Sequence, residues 1–210
     1  MRTLLDLVVP PECGGCRRPG ISWCAECARS VSGPPLRVYP RADPGVPCWA
    51  SSRYHGPARQ AVLAAKERNR RDLAGPLGHA LAAGLAELRA PDRPLILVPS
   101  PSRRAAARRR GGDPVLRCAR IAARSLGSCQ VLPCLRVWWG VRDSAGLSAR
   151  ERDRNLRGRV SAAPLPSYVA NAQVVLVDDV LTTGATVCAC ARALVAAGTR
   201  VDGVFVTCAG

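Results

Sequence analysis

Apolar positions along the chain recur with two periods, and the switches between them mark out the elements. Leu73, Leu77, Leu81, Ala82, Leu85 and Leu88 fall mostly three or four residues apart, so they share one face and predict a helix from Leu73 to Leu88. A helical segment is also predicted around Ala58 to Lys66, and another from Asp113 to Leu126, where Pro114 is tolerated because the first turn of a helix has no partner for its N–H. Short continuous apolar runs read instead as buried strands. These are Leu95-Ile96-Leu97-Val98, which opens into the turn Pro99-Ser100-Pro101-Ser102, then Gln130-Val131-Leu132, Ala172 to Val177, and Val201 to Thr207. Ala185 to Ala197 is apolar and Ala-rich, and its helix is expected to stop at Gly198. Strands alternating with helices predict an α/β protein, a parallel sheet flanked by helices.

The first fifty residues break this pattern. Residues 30 to 50 are rich in turn formers (Gly33-Pro34-Pro35, Pro40, Pro44-Gly45, Pro47) and read as a linker or irregular strand region. Ahead of them stand Cys13, Cys16, Cys24 and Cys27, two Cys-x-x-Cys pairs with seven residues between them. Each such turn aims two sulfurs at one ion, and two turns close the tetrahedral thiolate shell of a structural zinc site. Four reduced core thiols are the alternative, for which so short and polar a stretch offers little core. The predicted organisation is a zinc module with its linker over residues 1–50 and an α/β domain over residues 51–210. Met1 to Val9 is interrupted by Asp6 and runs into Pro10-Pro11 without a small-residue cleavage site, unlike a signal peptide. No run approaches the ~18 apolar residues of a membrane span. A cytoplasmic location is expected, where eleven cysteines point to metal ligands or buried thiols before disulfides.

Candidate chemistry gathers where the strand Val174 to Val177 is expected to end. In open parallel sheets ligands bind beyond the carboxyl ends of strands, the position of Asp178-Asp179. Next, Thr182-Thr183-Gly184-Ala185-Thr186 offers hydroxyls, a permissive glycine and backbone amides leading into a helix amino terminus, which is an anion site by geometry and dipole. Carboxylates would hold the hydroxyls of a sugar while the loop cradles its phosphate. A response-regulator domain also carries an early Asp-Asp, but it needs roughly a hundred further residues, and 31 follow Asp179. A plain surface turn capped by one Thr leaves the carboxylates and the other threonines unexplained.

Charge widens the choice of partners. The formal charge of +16, from 31 basic and 15 acidic residues, favours anionic partners. All the basic residues except Lys66 are Arg, so a GC-rich genome accounts for the composition equally well. Arg103, Arg104, Arg108, Arg109 and Arg110 form the densest cluster, more than one diphosphate can use. Arg108, Arg109 and Arg110 are the candidates for contacting single-stranded DNA, with a solvated basic face as the other reading.

Val174 to Val187 resembles the phosphoribosyl-diphosphate (PRPP) motif of type I phosphoribosyltransferases. With the four-cysteine module, the whole chain resembles the ComF family, a zinc finger fused to a type I phosphoribosyltransferase fold and linked to natural competence and DNA uptake. Tyr54, Gly56, Lys66, the Val98-Pro99-Ser100-Pro101 turn, Arg110-Gly111, Gly146-Leu147-Ser148, Arg152 and Asn155 extend the match. The resemblance implies that Asp178 and Asp179 contact the ribose hydroxyls, that Thr182, Thr183, Gly184, Ala185 and Thr186 hold the 5′-phosphate, and that Pro99, Ser100 and the turn through Arg103 receive the pyrophosphate. Lys66 joins the PRPP site, magnesium bridges pyrophosphate and sugar, and Asp178, Asp179 and Arg103 are the catalytic candidates. Arg136 to Arg157 becomes a mobile loop whose Arg142, Arg150, Arg152, Arg154 and Arg157 either neutralise pyrophosphate or form a solvated helix face.

Two departures from the family concern base recognition: Ser144 stands where many members carry Gln, and Gly112-Asp113-Pro114 where they carry aromatic-Asn-Gln. Two functions follow. One is a PRPP-binding protein of the ComF type in DNA uptake, with a competence helicase or recombination proteins as partners; the other is an active phosphoribosyltransferase that transfers ribose 5-phosphate to a nucleobase. A PRPP-responsive regulator lacks a helix-turn-helix pattern. His55 and His79 read as structural, Trp138-Trp139 as stacking or packing residues, and Cys188 and Cys190 as small buried thiols.

Overall fold

The computed structural model describes residues 10–102, 112–138 and 159–210. In chain order the strands are β1 (Leu36–Val38), β2 (Cys48–Arg53), β3 (Leu95–Pro99), β4 (Cys129–Val131), β5 (Leu135–Val137), β6 (Val160–Ala162), β7 (Gln173–Leu181) and β8 (Gly203–Ala209). The α-helices are α1 (Ala25–Arg29), α2 (Gly56–Glu67), α3 (Ala74–Leu88), α4 (Pro114–Leu126) and α5 (Ala185–Ala196). Six strands form one sheet in the order β1-β2-β8-β7-β3-β4. It is parallel except for β1, which pairs antiparallel with β2 at the edge.

Every residue of β3 and β8 is buried, as expected of central parallel strands covered on both faces. Successive side chains serve opposite cores. Ile96, Val98, Val174, Leu176, Val204 and Val206 pack with Val187 and Leu194 of α5. Leu95, Leu97, Val175, Val177 and Phe205 face α2, α3 and α4 through Ala61, Leu77, Leu81, Leu85 and Ala119. Phe205 is the chain's single Phe and fully buried. A Cβ on Gly84 would come within 2.2 Å of its Cζ, so α3 reaches the sheet this closely only through glycine.

The periodic helices appear within a few residues of expectation, and the structure differs at two places. Residues 30–50, expected to be linker or irregular strand, supply β1 and the first half of β2, which crosses residue 50 and pairs with β8. The strand expected to end at Val177 runs on to Leu181, because Val180 and Leu181 keep pairing with Cys208 and Ala209 of β8. Asp178 and Asp179 therefore lie inside β7, in its last turnings, and not beyond it.

The four-cysteine segment is docked on the corner before α3. The Arg70 guanidinium donates to the carbonyls of Glu12 (3.0 Å) and Ser22 (3.4 Å) and is itself held by Asp72 at 2.7 and 2.9 Å. Trp23 packs on three of the apolar clusters. A separate antiparallel pair, β5 with β6, flanks the 139–158 segment. Among the described residues no helix is long and apolar enough to cross a membrane.

Candidate functional site

β3 and β7 lie side by side, with Pro99 opposite Val177 and the Ser100 amide donating to the Val177 carbonyl at 2.8 Å. This pairing sets the Pro99-Ser100 turn beside the carboxylates. From the last turn of α2, Lys66 Nζ reaches both oxygens of Asp179, at 3.2 Å and 2.9 Å. The charge of Asp179, and behind it that of Asp178, holds the ammonium well above the usual lysine range despite its burial.

The two carboxylates are not equivalent. Asp178 accepts the Asp179 amide at 2.8 Å. Burial and the charge of Asp179 push its carboxyl up to about 7, against the pull of Lys66 and the Ser100 hydroxyl. Asp179 is thus the carboxylate that Lys66 grips directly, and Asp178 the one whose carboxyl burial pushes up.

After Leu181 the chain turns through Thr182 and Thr183 into Gly184, whose φ of 85° is left-handed, and α5 begins at Ala185. Its first turn presents backbone amides, with Thr183 Oγ1 accepting the Ala185 amide at 3.4 Å. Segment 40–42 leans against this loop: the Ala42 amide donates to the Thr183 carbonyl at 2.8 Å, and the Cys188 thiol donates to the Ala42 carbonyl at 3.3 Å. A Cβ on Gly184 would fall 2.2 Å from the Ala42 oxygen. Glycine is required here by left-handed backbone and by a neighbouring peptide of the protein itself. Sequence reasoning passed over Pro40 to Ala42, whose only signal is turn-forming composition.

Pro99, Ser100, Lys66, Asp178 and Asp179 converge at the carboxyl ends of β3 and β7, and the Thr182 to Thr186 loop follows directly. Arg103, Arg104, Arg108, Arg109, Arg110 and Gly111 lie outside the described residues, as do Trp139, Arg142, Ser144, Gly146, Arg150, Arg152, Arg154, Asn155 and Arg157. At the near end of the first gap, Ser102 donates its amide to Asp113 Oδ2 at 2.9 Å. The other oxygen of Asp113 caps α4 through the amides of Val115 (2.9 Å) and Leu116 (3.2 Å). The departure at Gly112-Asp113-Pro114 is thus a helix cap whose second oxygen also takes the Ser102 amide. Beneath the Lys66–Asp179 pair lies a mostly apolar cavity that sequence reasoning missed, lined by Leu77, Leu81, Val115, Cys118 and Val177. Burial pushes the Cys118 thiol up to about 12. His79 is an exposed position of α3, and His55 stands at the amino end of α2. Cys188 and Cys190 are buried.

Away from this site, the sulfurs of Cys13, Cys16, Cys24 and Cys27 all lie within 4.8 Å of one another. Cys16 Sγ and Cys24 Sγ are 3.7 Å apart, close to the edge of roughly 3.8 Å that a tetrahedron with ~2.3 Å metal–sulfur bonds demands. Burial opposes ionisation of Cys13, yet amides of Cys16, Cys24 and Gly15 outweigh it and bring the thiol down to about 6. The cluster can hold a metal such as zinc.

These observations define an α/β protein with a mostly parallel sheet, a carboxylate pair inside one central strand, and a separate four-thiol cluster docked on the corner ahead of α3. No protein-family model matches the chain. It is 32% identical over 229 aligned positions to the DNA utilization protein YhgH of Salmonella typhimurium, an alignment that covers 96% of this chain and 98% of that protein. The chain belongs to the family of that protein, a ComF-like family.

Proposed function

We propose that the chain is a PRPP-binding protein with a phosphoribosyltransferase-type domain and a zinc-holding module, and that it serves in the handling of DNA. The observation that carries the PRPP reading is the placement of Asp178 and Asp179 beside the Pro99-Ser100 turn, one strand end before a left-handed glycine and a helix amino terminus. Ribose hydroxyls would donate to the carboxylates. The 5′-phosphate would take the amides and hydroxyls of Thr182 to Thr186, where the helix dipole favours an anion. The diphosphate would lie toward Pro99 and Ser100, with Arg103 and the arginines beyond it supplying charge. Lys66 holds Asp179 in place beside the turn. Asp178, held by the Asp179 amide and the Ser100 hydroxyl, offers carboxylate oxygen to a hard divalent ion; magnesium bound there with PRPP would offset diphosphate charge. The DNA reading rests on the family relationship, since the relative is named for DNA utilization, and on the net charge of +16. Arg108, Arg109 and Arg110 are the proposed contacts.

Calorimetric titration with PRPP tests the reading. Saturable binding that needs magnesium and disappears in Asp178→Asn/Asp179→Asn is expected; equal binding by parent and variant contradicts it. Adding a panel of nucleobases to the same mixture and following pyrophosphate separates a binding protein from a transferase, since only the latter releases it in response to one base.

A further inference from the structure

At the amino end of α2, a groove opens between the chain that leaves the four-cysteine module and the end of β2. Arg29, Ser30, Ser51, Arg53 and His55 supply its polar lining, which contains no carboxylate. Ser51 is 4% exposed, and its hydroxyl has no hydrogen-bond partner among the described residues. A buried hydroxyl is costly to leave without a partner, and Ser51 is one of the residues that line the groove. α2 is twelve residues long and has no side-chain cap at His55. Its first intrahelical bond is made by Arg59, Pro57 has no N–H, and no described group accepts the amides of Gly56 or Ala58. Arg29, Arg53 and His55 are exposed and engage no described carboxylate, so the positive end of the helix dipole and three basic side chains face one solvent-filled space.

We infer that this groove is a second anion site, built to take a phosphate group. The Ser51 hydroxyl and the α2 amides would donate to phosphate oxygens, and Arg53 and Arg29 would clamp them with charge-assisted bonds. The site uses none of the residues assigned to PRPP and stands or falls independently of that reading. A phosphomonoester on a small metabolite and the phosphodiester of a single strand offer the same chemistry, so both belong in the test.

The chain has two histidines, His55 and His79, which makes the imidazole proton resonances a local probe with an internal reference. The metal-loaded full chain is titrated with inorganic phosphate, with thymidine 5′-monophosphate, and with oligothymidylate lacking a terminal phosphate. A saturable shift of the His55 resonance, with His79 unmoved, is expected for at least one of them. Arg29→Ala/Arg53→Ala and, separately, Ser51→Ala are expected to weaken that binding by about tenfold or more, the cost of losing hydrogen bonds to a charged group. Response to the monoesters alone assigns a phosphorylated metabolite; response to the oligonucleotide assigns the nucleic-acid backbone. The Asp178→Asn/Asp179→Asn variant should respond like the parent, which keeps this result separate from failure of the PRPP site. Unsaturable shifts, equal movement of both histidines, or undiminished binding by the Arg and Ser variants would overturn the inference.

Discussion

Asp178 and Asp179 are adjacent in sequence and chemically unequal, and the inequality comes from a residue 113 positions away. Lys66 reaches both oxygens of Asp179, while burial and its neighbour's charge outweigh the pull of Lys66 on Asp178. Its carboxyl titrates near 7 in the fold, against an ordinary value of 3.8. Between those values the folded chain keeps a proton that the unfolded chain has released, so stability falls as pH rises through this window and the penalty is complete above it. Asp178→Asn removes the charge. Denaturant unfolding in magnesium-free buffer should find the variant more stable than the parent at pH 8, by on the order of 1 kcal/mol, with little difference at pH 4. An equal difference at both pH values would contradict this assignment. The Asp pair and the threonine-glycine loop were legible in the sequence because their chemistry is contiguous. The Lys66 partnership was not, since no local pattern pairs α2 with β7, and neither was the real demand on Gly184, which is set by Ala42 from another part of the chain.

At the level of elements, legibility followed the strength of the apolar signal. α3, β3 and α5 are long or continuous apolar patterns and were placed within a few residues. β2 reads Cys-Trp-Ala-Ser-Ser-Arg, with no β-branched residue to mark a strand, and only its pairing with β8 makes it one. The extension of β7 has the same cause: Val180 and Leu181 resume the apolar pattern after the two carboxylates, and β8 is there to pair with them. α4 was predicted over Asp113 to Leu126 with Pro114 in its first turn, but the role of Asp113 emerges only from its three amide partners. Asp113→Ala should cost about 1–2 kcal/mol in stability, the upper part of the range for losing an N-cap, because one further amide is released. Asp113→Asn should recover much of it. Urea unfolding of the two variants checks this, and an Ala variant as stable as the parent would show that the cap contributes nothing.

For the molecule as a whole, the four-cysteine module was legible as a metal motif from spacing alone, whereas its integration into the body was not. Arg70 ties it to the corner ahead of α3, and Trp23 packs into the same apolar clusters as the sheet and helices. Structural zinc contributes folding energy directly, and here the loss should spread beyond the module. Stripping the metal with a chelator under reducing conditions is expected to lower the Tm of the entire cooperative transition and to change tryptophan fluorescence before that transition. A Tm unaffected by removal of the metal would show the module to be energetically separate.

The central claim is that Asp178 and Asp179 receive PRPP, and Lys66 offers the most direct view of it because it is the chain's single lysine. Reductive methylation with a carbon-13 label gives one side-chain NMR signal from the ammonium held on Asp179. Titration with PRPP and magnesium should move that signal along a saturable curve, with no such curve when magnesium is withheld or when Asp178→Asn/Asp179→Asn is used. A PRPP–magnesium complex that binds the protein by calorimetry yet leaves the Lys66 signal in place would contradict the account.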